Sequence, residues 1–299
     1  MAVHPKLAGR TCYHRYEVEP GLITPGQFLE VKPKLCLDEL GVSPDLSGLR
    51  ALDIGAFDGP FTFELERRGA HVTALDIQDP DITVFNAVKE IKDSSANYVR
   101  GSIYDAQPAD LGVYDIVLFI GVYYHLKNPV LALQRIRSLL ANGGVLFIEG
   151  ASTTDYLAEQ LNNALGLPKS KVGATAAILD HLPLSYFDFE HKIYENWTNW
   201  FFPTTRCLEG MLLDSGFQNV VCELKQNAIY NYSHRRLMGR AEANPAKSDP
   251  SEQNCEHWVF LDDYPASNRF RLSRRLLARL PPNLQQVAKR IRRAVLARV

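Results

Sequence analysis

Paired cysteines, metal-ligand spacings, long apolar runs and internal repeats are all missing from this 299-residue chain. Its five cysteines (Cys12, Cys36, Cys207, Cys222, Cys255) are scattered, with no CxxC pair and no Cys/His cluster of the kind that holds zinc. An odd, dispersed set reads as reduced thiols in a cytoplasmic protein rather than as a disulfide framework. No two histidines stand in HxxxH spacing, and no required metal is expected. No apolar run approaches the roughly 20 residues of a membrane-spanning helix. The first residues lack a charged start ahead of an apolar stretch, so no signal peptide is expected. Acidic residues are absent from 269–299, which carries ten Arg or Lys. The whole chain has 33 basic and 34 acidic residues, so the upstream part keeps 23 against 34, a net charge of -11. An acidic body repels a long polyanion; the basic end attracts one.

Strand and helix patterns alternate from residue 49 to 150. LRALDIG is a short apolar run closed by glycine and reads as a buried strand. PFTFELERRG has helical spacing with Gly69 as its stop, and HVTALDI is a second strand ending at Asp76. A helix over Ile82 to Lys92, the strand ANYVRGSI and the near-continuous apolar strand YDIVLFIG follow. NPVLALQRIRSLLANGG reads as a helix stopped by Gly143 and Gly144, and VLFIEG as a fifth strand. The repetition predicts an α/β fold with a parallel, doubly wound sheet. Residues 1–48 form a separate N-terminal segment with a helix near Phe28 to Glu39. Residues 151–203 read as an inserted cap, 204–243 as the remainder of the sheet, and 244–299 as a loop followed by two basic amphipathic helices parted by Pro281 and Pro282.

The chemistry-bearing signal is ALDIGAFDG, with Asp76 following 17 residues after Gly59. A turn directly after a first strand lets main-chain N–H groups and a helix N-terminus approach a ligand, and residues without bulk at Gly55, Ala56 and Gly59 permit that approach. Asp53 at the strand end can draw in an ammonium group. Asp76, with Ile77 beside it, stands where an acid accepts hydrogen bonds from a ribose diol. These groups suit S-adenosyl-L-methionine. GAFDG departs from the GxGxxG of NAD enzymes, which disfavours a dinucleotide. The plainer readings are that Gly55 and Gly59 only form a turn and that Asp53 is a cap or a surface acid. Ser102 and Ile103, after the third strand, and Ile120, at the end of the fourth, complete the expected cofactor contacts; Asp105 either meets the adenine amino group or caps the next turn.

These residues, with YDIVLFIGVYYHLKNPVLALQRIRSLLANGGVLFIE, resemble the class I methyltransferases. GVYYHLKNP is close to the GVLYHxxxP segment of the tRNA wobble-uridine carboxymethyltransferase-like group, and GLITPG and NWFFPTTRCLEGMLLDSGFQNV resemble further segments of that group. The resemblance spans residues 13 to 222. It implies a Rossmann-like seven-stranded sheet, a cofactor lid over Tyr13 to Gly26, and a transfer site lined by Tyr124 and His125. In the group's carboxymethyl-transferring member the donor carries an extra carboxylate held by basic and tyrosine side chains. Tyr124 matches that tyrosine, but no stretch before GLITPG matches the basic N-terminal partner, which favours ordinary S-adenosylmethionine and an acceptor other than tRNA.

His125 follows the fourth strand, where an open parallel sheet presents side chains to its ligand crevice, and its ordinary titration range suits a base or a group that orients the acceptor. A hydrogen-bonded structural histidine is the alternative; His14 and His191 read as structural or exposed. Tyr13, Glu149 and Trp200 are candidate acceptor contacts, Glu149 alternatively being a solvated loop acid. The aromatics Tyr186, Phe187, Phe189, Tyr194, Trp197, Trp200, Phe201 and Phe202 form either an acceptor wall or the packing of the inserted segment. The basic end is a solvated helix packed on the domain, a peripheral anchor at the inner face of a membrane, or a nucleic-acid contact. Three functions are carried forward: O-methylation of a small molecule or glycan, tRNA wobble-uridine modification, and a non-catalytic cofactor-binding scaffold.

Overall fold

The computed structural model describes residues 1–193, 196–226 and 235–247. Tyr194 and the basic segment 269–299 lie outside the described residues.

Seven strands form one sheet: β1 (Arg50–Ile54), β2 (His71–Asp76), β3 (Asn97–Arg100), β4 (Tyr114–Ile120), β5 (Leu140–Ala151), β6 (Phe217–Lys225) and β7 (Arg236–Ala243). Their order is β6-β7-β5-β4-β1-β2-β3. β7 is antiparallel to both neighbours and the other pairings are parallel. This is the α/β architecture that the alternation predicts. The helices are α1 (Pro33–Glu39), α2 (Pro60–Arg67), α3 (Phe85–Ile91), α4 (Pro108–Leu111), α5 (Pro129–Leu139), α6 (Thr154–Ala164), α7 (Val172–Asp180) and α8 (Thr205–Asp214).

The apolar run of β4 is explained by covering on both faces. Side chains alternate across a strand. Val117 and Phe119 join Leu133 and Ile136 of α5 and Leu208 and Leu212 of α8. Ile116, Leu118 and Ile120 join Cys36 and Leu37 of α1 and Phe61 and Leu65 of α2. Each such side chain, when fully buried, contributes roughly 1.5–3 kcal/mol of transfer free energy.

The chain leaves β1 toward β2 and β3, then returns past β1 to begin β4 on its other side. The loops after β1 and β4 therefore diverge at their carboxyl ends, and an open α/β sheet holds its ligands in that crevice.

Several boundaries differ from the sequence expectation. The first helix starts at Pro33, not Phe28: a proline suits the first helical position, and Leu29–Glu30 instead pairs as a short parallel strand with His14–Arg15. The third helix starts at Phe85, because Val84 takes a left-handed φ of 65°. Gly143 and Gly144 do not end the helix before them. α5 stops at Leu139, Leu140 already pairs with Tyr114 of β4, and the glycines occupy a bulge before Val145 meets Ile116. Residues 151–203 contain α6, α7 and an antiparallel pair, Ser185–Phe187 with Phe201–Pro203. Among the described residues, no helix is long and apolar enough to cross a membrane.

At the tip of β5 a Cβ on Gly150 would lie 2.4 Å from the ring of Tyr123, whose hydroxyl donates to Ala151 O at 2.7 Å. The ring is fully enclosed and tethered, so it has nowhere to retreat. Gly150→Ala is expected to cost about 1–3 kcal/mol by overpacking, read as a lower urea midpoint.

Candidate active site

The turn after β1 holds two glycines in the left-handed region, Gly55 at φ +77° and Gly59 at φ +85°. Their lack of a side chain is required first by the protein's own packing. A Cβ on Gly55 would stand 2.3 Å from Val122 Cγ2, and one on Gly59 would stand 2.5 Å from the ring of Phe63 and 2.9 Å from that of Phe85. Phe57 between them also has a positive φ, 50°. The turn thus leads straight into α2, whose first residue is Pro60.

Two acids flank this turn. Asp76 is buried; Phe57 N donates to its Oδ2 at 2.9 Å and Gln78 N to its Oδ1 at 2.8 Å. A carboxylate has about four acceptor sites, so Asp76 keeps capacity for the two hydroxyls of a ribose. Asp53 is 2% exposed and accepts from Thr62 Oγ1 at 2.6 Å. Among the described residues no Lys or Arg pairs with it. Burial pushes its carboxyl up to about 6, against the Thr62 hydrogen bond and with help from Asp76. His14 opposes the rise only weakly, and a buried acid with no Lys or Arg paired to it is a fitting seat for an ammonium group. Of the remaining expected cofactor contacts, Ala56, Ile103 and Ile120 are buried in the apolar core. Ser102 is half-buried and Ile77 is 64% exposed.

The N-terminal segment is fastened to the same turn through Asp58, which is fully buried. Asp58 accepts from His14 N at 2.8 Å and pairs with His14 Nδ1, and the Tyr16 hydroxyl donates to Asp58 O at 2.5 Å. Tyr13 stacks on Phe28 and meets Phe57 edge-on, so the segment lies against the glycine turn. Gly26 allows this return crossing, since a Cβ there would fall 2.0 Å from His14 C.

At the end of β4, Tyr123–His125 form one short helical turn. The Tyr124 ring stacks on Phe202, centroids 5.9 Å apart, and lies 5.3 Å from the Arg236 guanidinium. Glu149 is not a solvated loop acid: it is 1% exposed and accepts from Arg236 Nε at 2.6 Å. Burial works against the Arg236 charge, but Glu149 outweighs it and holds the guanidinium protonated. His125 is mostly enclosed; burial is the main cause that brings its ring down to about 4, with Arg236 acting in the same direction and the hydrogen bond of the ring to the Thr198 carbonyl opposing them. Trp200 N donates to Tyr124 O at 2.8 Å, and the Trp200 ring carries Lys127 Nζ 4.2 Å from its centroid and stacks with Phe187. Phe187, Phe189 and Trp197 are exposed, whereas Phe202 is fully buried, so the aromatic segment both packs the interior and lines the surface.

Asp53, Asp76 and the glycine turn are thus gathered at one end of the sheet, with Tyr124, His125, Glu149 and Trp200 at the neighbouring strand ends. Tyr16, Asp58, Thr198 and Arg236 belong to the same region and were not singled out by sequence, while His14, read there as structural or exposed, bonds to the buried Asp58. Their partners are 42 to 112 residues away, as in Tyr16 to Asp58 and Tyr124 to Arg236, and no local spacing signals such contacts. Among the described residues, no group of three His, Cys, Asp or Glu is placed to hold a metal.

Asp53 has a sign that can be tested in the ligand-free protein. Its carboxyl is raised in the fold, so its ionisation opposes folding above pH 6, and the opposition vanishes below about pH 4, where folded and unfolded chains are both protonated. Asp53→Asn is expected to stabilise the ligand-free protein by about 1–3 kcal/mol at pH 7.5. The gain should shrink to nothing by about pH 4 in urea titrations.

A family model described as a methyltransferase domain matches residues 30–221. The ubiquinone biosynthesis O-methyltransferase of Xanthomonas oryzae pv. oryzae is 27% identical over 177 residues, 54% of this chain and 74% of that protein. The tRNA U34 carboxymethyltransferase of Mannheimia succiniciproducens is 29% identical over 187 residues, 60% of this chain and 50% of that protein. The crystal structure of the N-terminal domain of EvdMO1 with SAH bound shares the fold, with a TM-score of 0.52 and 16% identity over 80% of this chain and 93% of that one. The match from α1 to β6, on a sheet whose switch point carries the glycine turn and its two acids, has one conclusion: the chain belongs to the methyltransferase domain family and is an S-adenosylmethionine-dependent methyltransferase.

Proposed function

We propose that the acceptor is a hydroxyl group of a small molecule or glycan, methylated from ordinary S-adenosylmethionine. The observation that carries this reading is the enclosed imidazole of His125, neutral at physiological pH, at the end of β4 beside Tyr124. A hydroxyl is a weak nucleophile until a base takes its proton. A neutral imidazole supplies that base; a charged one cannot.

S-adenosylmethionine, when bound, supplies a methyl group activated on a sulfonium. The residues present fit it: Asp53 suits the ammonium, Asp76 the ribose diol, and the Gly55–Gly59 turn the close main-chain approach. The chain's own part is to orient the acceptor hydroxyl, exclude water and accept the proton at His125. Holding the groups in line is the largest share of such catalysis. Glu149 neutralises Arg236 beside Tyr124, so that corner offers no net positive charge to an additional carboxylate on the donor, which supports the plain methyl donor. The ubiquinone-pathway relative, named an O-methyltransferase, supports the same chemistry.

A second reading is modification of a tRNA wobble uridine. The 29% identity to a tRNA U34 carboxymethyltransferase and the ten basic residues of 269–299 favour it, and the net charge of -11 upstream opposes it. Bulk tRNA from a deletion strain, searched for a missing modified uridine, separates the two. Mass spectrometry of the ligand that co-purifies with the protein distinguishes a plain from a carboxylated donor.

With saturating donor, His125→Asn is expected to lower kcat on the order of a hundredfold or more, the usual worth of a positioned base. Wild-type kcat should keep its acid limb below pH 5, because protonation of His125 is what removes the base and its ring titrates at about 4. Donor affinity should weaken earlier, as pH falls through about 6 and Asp53 gains its proton. Undiminished turnover in the Asn variant would eliminate the base role.

A further inference from the structure

The inserted cap meets the end of β4 at two points that follow the chain in opposite directions. Trp200 N donates to Tyr124 O at 2.8 Å. Next along, His125 Nδ1 faces Thr198, 3.0 Å from its Oγ1 and 3.3 Å from its carbonyl oxygen. The Thr198 hydroxyl is itself 2.7 Å from Asn196 Oδ1.

The position of each proton follows from counting donors. Thr198 N lies 3.0 Å from Asn196 Oδ1, and a main-chain N–H can only donate, so the atom it faces is the amide oxygen. A hydroxyl has one proton, and at 2.7 Å the better acceptor for it is that amide oxygen. Thr198 Oγ1 then turns a lone pair toward His125. The Thr198 carbonyl, the other oxygen facing Nδ1, has only lone pairs to offer. Two acceptors facing one ring nitrogen require that nitrogen to carry the hydrogen. In a neutral imidazole the other nitrogen is then bare.

We infer that Thr198 and Asn196 of the cap are positioning residues that lock His125 as its Nδ1–H tautomer and so leave Nε2 as the lone pair that accepts the acceptor's proton. The inference rests on the reading of His125 as base, and it adds what that reading leaves open: which nitrogen acts and what fixes it. In balance, the acceptor's O–H proton goes to Nε2, the imidazole becomes cationic with hydrogens on both nitrogens, and Thr198 keeps its hydrogen bond throughout. The Nδ1–H to Thr198 contact then becomes charge-assisted, which strengthens it as the proton arrives. Because the orienting groups come from residues 196–198, the base is completed by the cap rather than by the sheet.

The test uses the full chain labelled with ¹⁵N-histidine, with His125→Asn removing one signal among eight histidines and so assigning it. At neutral pH the wild-type His125 resonances should show a protonated Nδ1 and a bare Nε2. Thr198→Ser, which keeps the hydroxyl, should retain that pattern and kcat within about threefold. Thr198→Val removes the hydroxyl but leaves the Thr198 carbonyl on Nδ1, so it should raise the Nε2–H share of His125 only in part and lower kcat by up to about tenfold with little change in donor KM. Asn196→Ala frees the Thr198 hydroxyl to donate to Nδ1 and should move the tautomer the same way. An Nε2–H tautomer in the wild type, or an unchanged tautomer in Thr198→Val, overturns the inference. A correct tautomer together with undiminished turnover of His125→Asn sinks the base instead, so the two failures are told apart.

Discussion

A reversal in strand order governs this molecule. Because β4 returns to lie against β1 while β2 and β3 run to the far side, the chain diverges above two adjacent strands, the place where an open α/β sheet holds its ligands. The candidate site groups described above stand on the loops at that divergence or on segments folded over them. The tight turn and its two acids follow from β1 and β2, the Tyr124–His125 turn follows from β4, and the Glu149–Arg236 pair sits where β5 ends and β7 begins. The sheet itself is ordinary apolar packing, and its task is to bring the ends of distant segments within hydrogen-bond reach.

Charge is distributed unevenly around that divergence. On the β1 side Asp53 is buried with no Lys or Arg paired to it among the described residues, and burial outweighs the small opposing effect of His14, a cost that a positively charged ligand relieves. On the β4 side Arg236 is buried with Glu149, so positive charge there is already compensated. His125, also on the β4 side, is kept neutral mainly by burial. The region thus carries an unneutralised buried acid at one end and a neutral imidazole at the other, which suits the proposed pairing of a cationic methyl donor with an uncharged acceptor.

Sequence periodicity revealed the parts that repeat or punctuate. The two-face apolar run of β4, the glycine turn and Asp76 at the end of β2 were all legible, because each follows from contacts a few residues apart or from a single strand's covering. Helix starts at Pro33 and Phe85 were misplaced by a few residues, since a left-handed Val84 has no signature of its own. The strand RLMGRAEA was not recognised as such; its Arg236, Arg240 and Glu242 obscure the apolar pattern that the paired neighbours β5 and β6 override. Nothing local could join Asp58 to His14 and Tyr16, or Thr198 to His125. These are tertiary hydrogen bonds between segments 42 to 73 residues apart.

Val122 lies where a side chain on Gly55 would have to go, 2.3 Å from that hypothetical carbon. The bend that follows β1 and the bend that follows β4 are therefore not separate loops but two surfaces of one interlocked joint. A displacement of either must push the other, since close-packed interiors transmit strain rather than absorb it. The turn that carries Gly55 and the turn that carries His125 are thereby held in one fixed relative placement.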